Sequence, residues 1–361
     1  MKAFALSITL LYSVILSAQE RVTLLFVGDL MQHQGQIDAA RTSKNTYDYS
    51  SCFSFVKDQI SRADLAIANL EVPFAGKPFA GYPAFNAPDE YLYAIKDAGF
   101  DVLLTANNHC LDRGKKGLER TIRLLDSLRI SYTGTYQNEK ERNERYPLFI
   151  LKNGFRIALL NYTYGTNGVK VTSPNIVNYI DKKIIQQDIH TAQAWQPDVI
   201  IACVHWGIEY QSLPNREQQQ LANWMLQQGV THIIGSHPHV IQPMELRTDS
   251  VTGTQHAVVY SLGNFISNMS KENTDGGLIF TLELEKNTTN HSPVRIRQCG
   301  YNLVWTARPV LTGAKNYVLY PVNSPATSLL PEIARNKLNI FTNNSRILLQ
   351  QHNVGIIENN E

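Results

Sequence analysis

Cysteine is scarce and scattered. Cys52, Cys110, Cys203 and Cys299 are the 4 cysteines in 361 residues and include no C-x-x-C pair. That excludes a disulfide-built scaffold and argues against a structural zinc ribbon. A surplus of either charge is also lacking, with 33 Lys and Arg against 31 Asp and Glu and a formal charge of +2. A general nucleic-acid binder needs excess cations to neutralise phosphates, so no nucleic-acid partner is expected. No Gly-x-x-x-x-Gly-Lys-Ser/Thr loop is present, which argues against ATP-driven ligation by this chain alone. Charged residues make up only 18% against 43% hydrophobic, a balance that suits a sizeable core rather than a disordered chain. Internal repeats, low-complexity tracts and long linkers are missing too.

One apolar run does stand out. Lys2 precedes an almost unbroken stretch over 3–16, and Ser17-Ala18-Gln19-Glu20 follows it. A charged start, an apolar middle and small residues, in that order, read as a secretory signal peptide. The run is shorter than the ~20 residues that span a bilayer. Residues 1–19 are therefore expected to be a cleavable signal, with an uncleaved membrane anchor as the alternative. Residues 20–361 are expected to form a single domain, secreted or periplasmic.

Beyond the signal, short β-rich runs alternate with helix-like stretches. The runs 22–27, 63–69, 101–105, 156–161, 198–203 and 231–235 are apolar without period-two alternation, as strands buried on both faces are. Helices are expected over 87–98, 117–128, 180–194 and 216–228, with Gly99 and Gly229 placed to end two of them. From about 256 the texture turns to strands, over 256–261, 277–284, 294–305 and 317–322, before a closing helix near 331–351. The alternation predicts a layered α/β core whose strand-rich C-terminal part completes or flanks the sheet.

Polar residues gather where these strands end. Gly28-Asp29-Leu30-Met31, Asn69-Leu70-Glu71, Asn107-Asn108-His109 with Asp112, His205-Trp206-Gly207 with Glu209-Tyr210, and Ser236-His237-Pro238-His239 each follow an apolar run. Taken singly, an Asp is a turn or cap residue, Asn-Asn a turn and His205 a core histidine. Five such ends together place carboxylate, amide and imidazole donors in the crevice where open α/β sheets bind ligands. Those donors suit Mn, Zn or Fe, as one or two divalent ions. The chemistry they support is attack by a metal-activated water, with a carboxylate bridging the ions. His109 is the candidate to stabilise developing charge, with Asp112 three residues on to orient its ring. Trp206, Glu209, Tyr210 and Arg113 are candidate substrate contacts, and Trp206 and Tyr210 read equally well as core. Lys115, Lys116 and Arg216 are further cations that read equally well as solvated helix faces.

These motifs, with Tyr260-Ser261-Leu262-Gly263-Asn264-Phe265 after them, resemble the capsule-synthesis CapA, or poly-γ-glutamate biosynthesis, family. Its fold is similar to that of the calcineurin-like metallophosphoesterases. The resemblance implies a four-layer α/β/β/α sandwich with the site at one edge. By motif position it places Asp29 and His239 on one metal, Asn108, His205 and His237 on the other, Glu71 between them and His109 beside them. It implies work on an anionic surface polymer or its precursor, together with membrane-bound synthesis components. Two departures from the phosphoesterase pattern stand in this chain: Met31 replaces a metal-binding histidine, and Glu71 replaces a bridging aspartate. A thioether is a poor ligand for a hard ion, and His33 or Gln32 are the nearest substitutes. Three functions follow as expectations: a metal-dependent hydrolase or transferase acting on an amide or phosphoester, a non-catalytic polymer-handling component with a vestigial site, and a nucleotide or sugar phosphatase.

Overall fold

The computed structural model describes residues 19–287 and 293–359. The expected signal falls almost wholly on 1–18, outside the described residues. Two large sheets hold the described chain together. The first runs Val318–Pro321, Arg295–Ala307, Gly276–Asn287, Gln19–Leu30, Leu65–Leu70, Val102–Leu104 and Ser131–Thr133 in spatial order. Its last four strands are mutually parallel, and the C-terminal hairpin adds antiparallel beside Gln19–Leu30. The second sheet runs Ile241–Thr248, Gln255–Leu262, His232–Ser236, Val199–His205, Phe155–Thr163 and Leu148–Lys152. Its four inner strands are parallel and its two edges antiparallel.

The apolar runs explain the layering. Side chains alternate across a strand, so Val22, Leu24 and Phe26 face one way and Leu25 and Val27 the other. The first set meets Phe155, Ile157, Leu159, Val199 and Ile201 of the second sheet in one buried cluster between the sheets. The second set packs under the helices Asp89–Asp97 and Gly114–Ser127, through Tyr91, Leu92, Ile95, Leu118, Ile122 and Leu125. On the far side, Ala158, Leu160, Tyr162, Ile200, Ala202 and Val204 meet the helices Lys182–Ala194 and Arg216–Gln227. Helix, sheet, sheet, helix is thus the order of layers, the four-layer α/β/β/α sandwich expected. The closing helix, Glu332–His352, adds Ala334, Leu338, Phe341 and Leu349 to the cluster between the sheets. Among the described residues, no helix is long and apolar enough to cross a membrane.

Candidate metal centre

In both sheets the parallel strands finish at the same edge, which brings the five polar strand ends together. Asp29 sits just past an irregularity in the pairing of Gln19–Leu30 with Leu65–Leu70. Gly28 makes that placement possible, because a Cβ there would collide with the carbonyl of Gly263. The same close approach lets the Asp29 amide donate to the Gly263 carbonyl at 3.1 Å and sets Asp29 beside Asn264. Asn264 Oδ1 in turn lies 3.0 Å from His239 Nδ1.

The donors then interlock. Asn69 Nδ2 donates to Asp29 Oδ1 at 2.7 Å, which holds one carboxylate oxygen and leaves Oδ2 at 3.3 Å from His239 Nδ1. Glu71 Oε1 stands 3.8 Å from His205 Nε2 and 3.9 Å from His239 Nε2. His205 Nε2 is 3.0 Å from Asn108 Oδ1, and His205 Nδ1 is 3.0 Å from Ser236 Oγ. The His237 ring lies 4.8 Å from that of His205 and 6.0 Å from that of His239. Asp29, Glu71 and His205 form one compact set of possible ligand atoms, and Glu209, His237 and His239 a second.

Asp29 Oδ2, Glu71 Oε1 and His237 Nδ1 are buried and make no hydrogen bond. A buried polar atom without a hydrogen bond costs about 1–3 kcal/mol, and more if charged, so Asp29 and Glu71 in one set of ligand atoms and His237 in the other each favour an occupant. Separations of 3.3–3.9 Å between facing donors are about what ligands ~2.1 Å from a shared ion span. The residues present therefore fit a divalent metal.

The electrostatics agree. Burial, and then the charge of Asp29, push Glu71 well above the usual carboxylate range. Burial, and then neighbouring imidazoles, hold His205 far below the usual range and bring His237 down to about 3. Both rings are thus neutral and keep a lone pair for a metal. Burial opposes charge on His239 as well, but contact with Asp29 outweighs it and leaves this ring raised. Backbone strain marks the same place. His237 (φ 103°) and His239 (φ 58°) flank Pro238 in the left-handed region, which non-glycine residues occupy at a cost that functional sites characteristically bear.

His109 stands beside these donors. Its Nδ1 lies 2.7 Å from Asp112 Oδ2, an oxygen that also accepts the Phe85 amide at 2.8 Å. Phe85 packs against the imidazole with ring centroids 4.6 Å apart. Among the expected substrate contacts, Glu209 and Tyr210 are exposed at the rim, with Tyr210 6.2 Å from His239 between ring centroids. Trp206 is a correction: it is only 2% exposed and its indole donates to the Tyr260 carbonyl, so it is core rather than pocket wall. Arg113 donates from Nε and one Nη to the backbone carbonyls of Phe85 and Ala84, which ties its guanidinium to that loop.

Neither neighbour of Met31 replaces the missing imidazole. The Met31 side chain lies in the apolar cluster beneath the helices. Gln32 accepts from Tyr49. His33 caps the helix Gln34–Ala40, is brought down to about 4 by burial, and belongs to neither set of ligand atoms. Two residues absent from the sequence reading do reach the site. Tyr164 lies over His237 with ring centroids 4.5 Å apart, and Asn167 accepts from Asn108 at 3.2 Å. Both follow the strand Phe155–Thr163, a sixth strand end at the same edge.

A four-layer sandwich with carboxylates, amides and imidazoles converging at its strand ends defines the class: an α/β protein with a candidate divalent metal centre. Residues 23–269 match the family described as bacterial capsule synthesis protein PGA_cap, and the chain belongs to that family. The capsule biosynthesis protein CapA of Bacillus anthracis is 28% identical over 284 residues, 75% of this chain and 66% of that protein. The PGA biosynthesis protein CapA of Bacillus subtilis (strain 168) is 28% identical over 276 residues, 74% of this chain and 69% of that protein. Among solved structures, Haemophilus influenzae NAD nucleotidase is similar with a TM-score of 0.48 and 12% identity, covering 91% of this chain and 63% of that one. The 5'-nucleotidase of Candida albicans SC5314 follows at 0.43 and 12%, covering 90% and 58%.

Proposed function

We propose that this chain is an extracytoplasmic metal-dependent hydrolase or transferase in the synthesis of a capsule or poly-γ-glutamate-type surface polymer, acting on an amide or phosphoester bond. The observation that carries this reading is the trio of buried donor atoms without hydrogen bonds on Asp29, Glu71 and His237. The polymer comes from the family and from the names of its relatives, and location outside the cytoplasm from the signal-like N-terminus. An anionic polymer or its precursor is the substrate class, and membrane-bound synthesis components are the partners.

Asp29 and His239 would hold one ion and Asn108, His205 and His237 the other, with Glu71 between. Divalent ions bound there would lower the pKa of a shared water toward ~7 and offset charge on the attacked group. The chain's own part is to place and protonate. Asn69 fixes Asp29, Ser236 fixes His205 and Asn264 fixes His239, so the donors meet an ion already aligned. Asp112 holds His109 through Nδ1, which leaves Nε2 to give a proton to the departing group or to steady the developing oxyanion.

A second reading, a polymer-handling component without turnover, draws support from Met31, whose thioether lies in the core where the phosphoesterase pattern has a ligand. Stripping the protein with a chelator and restoring Mn, Zn or Fe separates the two. On γ-glutamyl amide and phosphoester probes, turnover is expected to vanish on stripping and return with metal. Polymer binding that survives stripping, with no turnover of any probe under any metal, would select the second reading.

A further inference from the structure

Glu209 is out of place as a contact for an anionic substrate, because a carboxylate at the rim would repel the polymer proposed above. Its surroundings suggest another task. A carboxylate oxygen of Glu209 and ring nitrogens of His237 and His239 all lie within 4.8 Å of one another. His237 is only 3% exposed, and its Nδ1 has no hydrogen-bond partner.

The loop that carries Glu209 is built to hold it there. Gly207 adopts φ 92°, and a Cβ at that position would press on the Gln218 amide at 2.8 Å. The tight turn it allows brings the chain back over the edge of the second sheet. Both ends of the turn are stitched to the segment bearing the two histidines: the Trp206 amide donates to the Ser236 carbonyl at 3.1 Å, and the Tyr210 amide to the Pro238 carbonyl at 2.8 Å. Lys271 Nζ then sits 3.9 Å from the centre of the Tyr210 ring, fastening the loop from the opposite side.

We propose that Glu209 is a metal ligand, acting with His237 and His239 and supplying from the second sheet the donor that Met31 does not supply from the first. This rests on the metal-centre reading above. The charge count is consistent with it: three carboxylates, Asp29, Glu71 and Glu209, against two divalent ions would leave a single positive charge, which one bound hydroxide would balance.

The test is Mn²⁺ titration of the chelator-stripped full chain by calorimetry, comparing wild type with Glu209→Gln and with Glu217→Gln, an exposed control on the neighbouring helix. Because Glu209 is exposed, the amide variant should fold, and circular dichroism checks that it does. Loss of a direct ligand is expected to weaken one ion by at least about ten-fold, since even outer-shell changes cost that much. The loss should persist in about 1 M salt, where a Debye length of ~3 Å removes any merely long-range effect. Wild-type affinity in Glu209→Gln, or a deficit that salt erases, overturns the assignment while leaving the centre itself standing. A wild-type chain that takes up no Mn²⁺ overturns the metal-centre reading, and the assignment with it.

Discussion

Replacing Glu71 with glutamine is expected to abolish stabilisation by metal while leaving the metal-free protein at least as stable as wild type. Glu71 is fully buried, lies close to Asp29, and has an oxygen without a hydrogen bond. Without an ion, that carboxyl group is a burden on the fold, raised far above its usual range by burial and by the charge of Asp29. An amide of the same shape removes the charge and therefore the conflict. With an ion the sign reverses. A ligand at 100 times its Kd stabilises the native state by about 2.7 kcal/mol, or roughly 3–8 °C in Tm for a chain of this size. Thermal melts with and without Mn²⁺ should therefore show a shift in wild type and almost none in Glu71→Gln. An equal shift in both would mean that Glu71 is not a ligand.

His109→Ala should lose about 10²–10³-fold in turnover while binding metal as wild type does. The ring belongs to neither compact set of ligand atoms, so its removal leaves the ion's cage intact. What it takes away is a positioned proton donor, an effect typically worth 10²–10⁴-fold. Asp112→Asn should fall between the two, because an amide can still accept from Nδ1 and from the Phe85 amide but no longer supports a charged ring. Metal titration and turnover, measured on the same preparations, separate the effects. A His109→Ala protein with wild-type turnover contradicts the role given to His109, and one that no longer binds metal shows the ring to be part of the cage.

Much of this architecture was legible because its strands are buried on both faces. Apolar stretches such as 157–160 and 199–203 stand out in the sequence, and both lie within strands of the second sheet. The edges were harder. Leu148–Lys152 carries only the short apolar run 148–151 and is half exposed, and Ile241–Thr248 contains Pro243, a residue that argues against a strand anywhere but at an edge. At the site, ionisable residues after strands were visible because charge is conspicuous at an apolar run's end. Tyr164 and Asn167 follow a strand in the same way but stand beside no His, Asp or Glu in the sequence, so only their placement beside His237 and Asn108 reveals them. Trp206 misled in the opposite direction. Its neighbour His205 points into the site, and alternation along the strand sends Trp206 to the outer core instead.

Everything proposed here depends on an ion being held between the two sheets. Elemental analysis of protein purified without chelators, on wild type and on His237→Ala, tests that most directly. About one or two transition-metal ions per chain are expected in wild type, with loss in the variant. A wild-type chain that carries no metal, and takes up neither Mn nor Zn when offered, would contradict it.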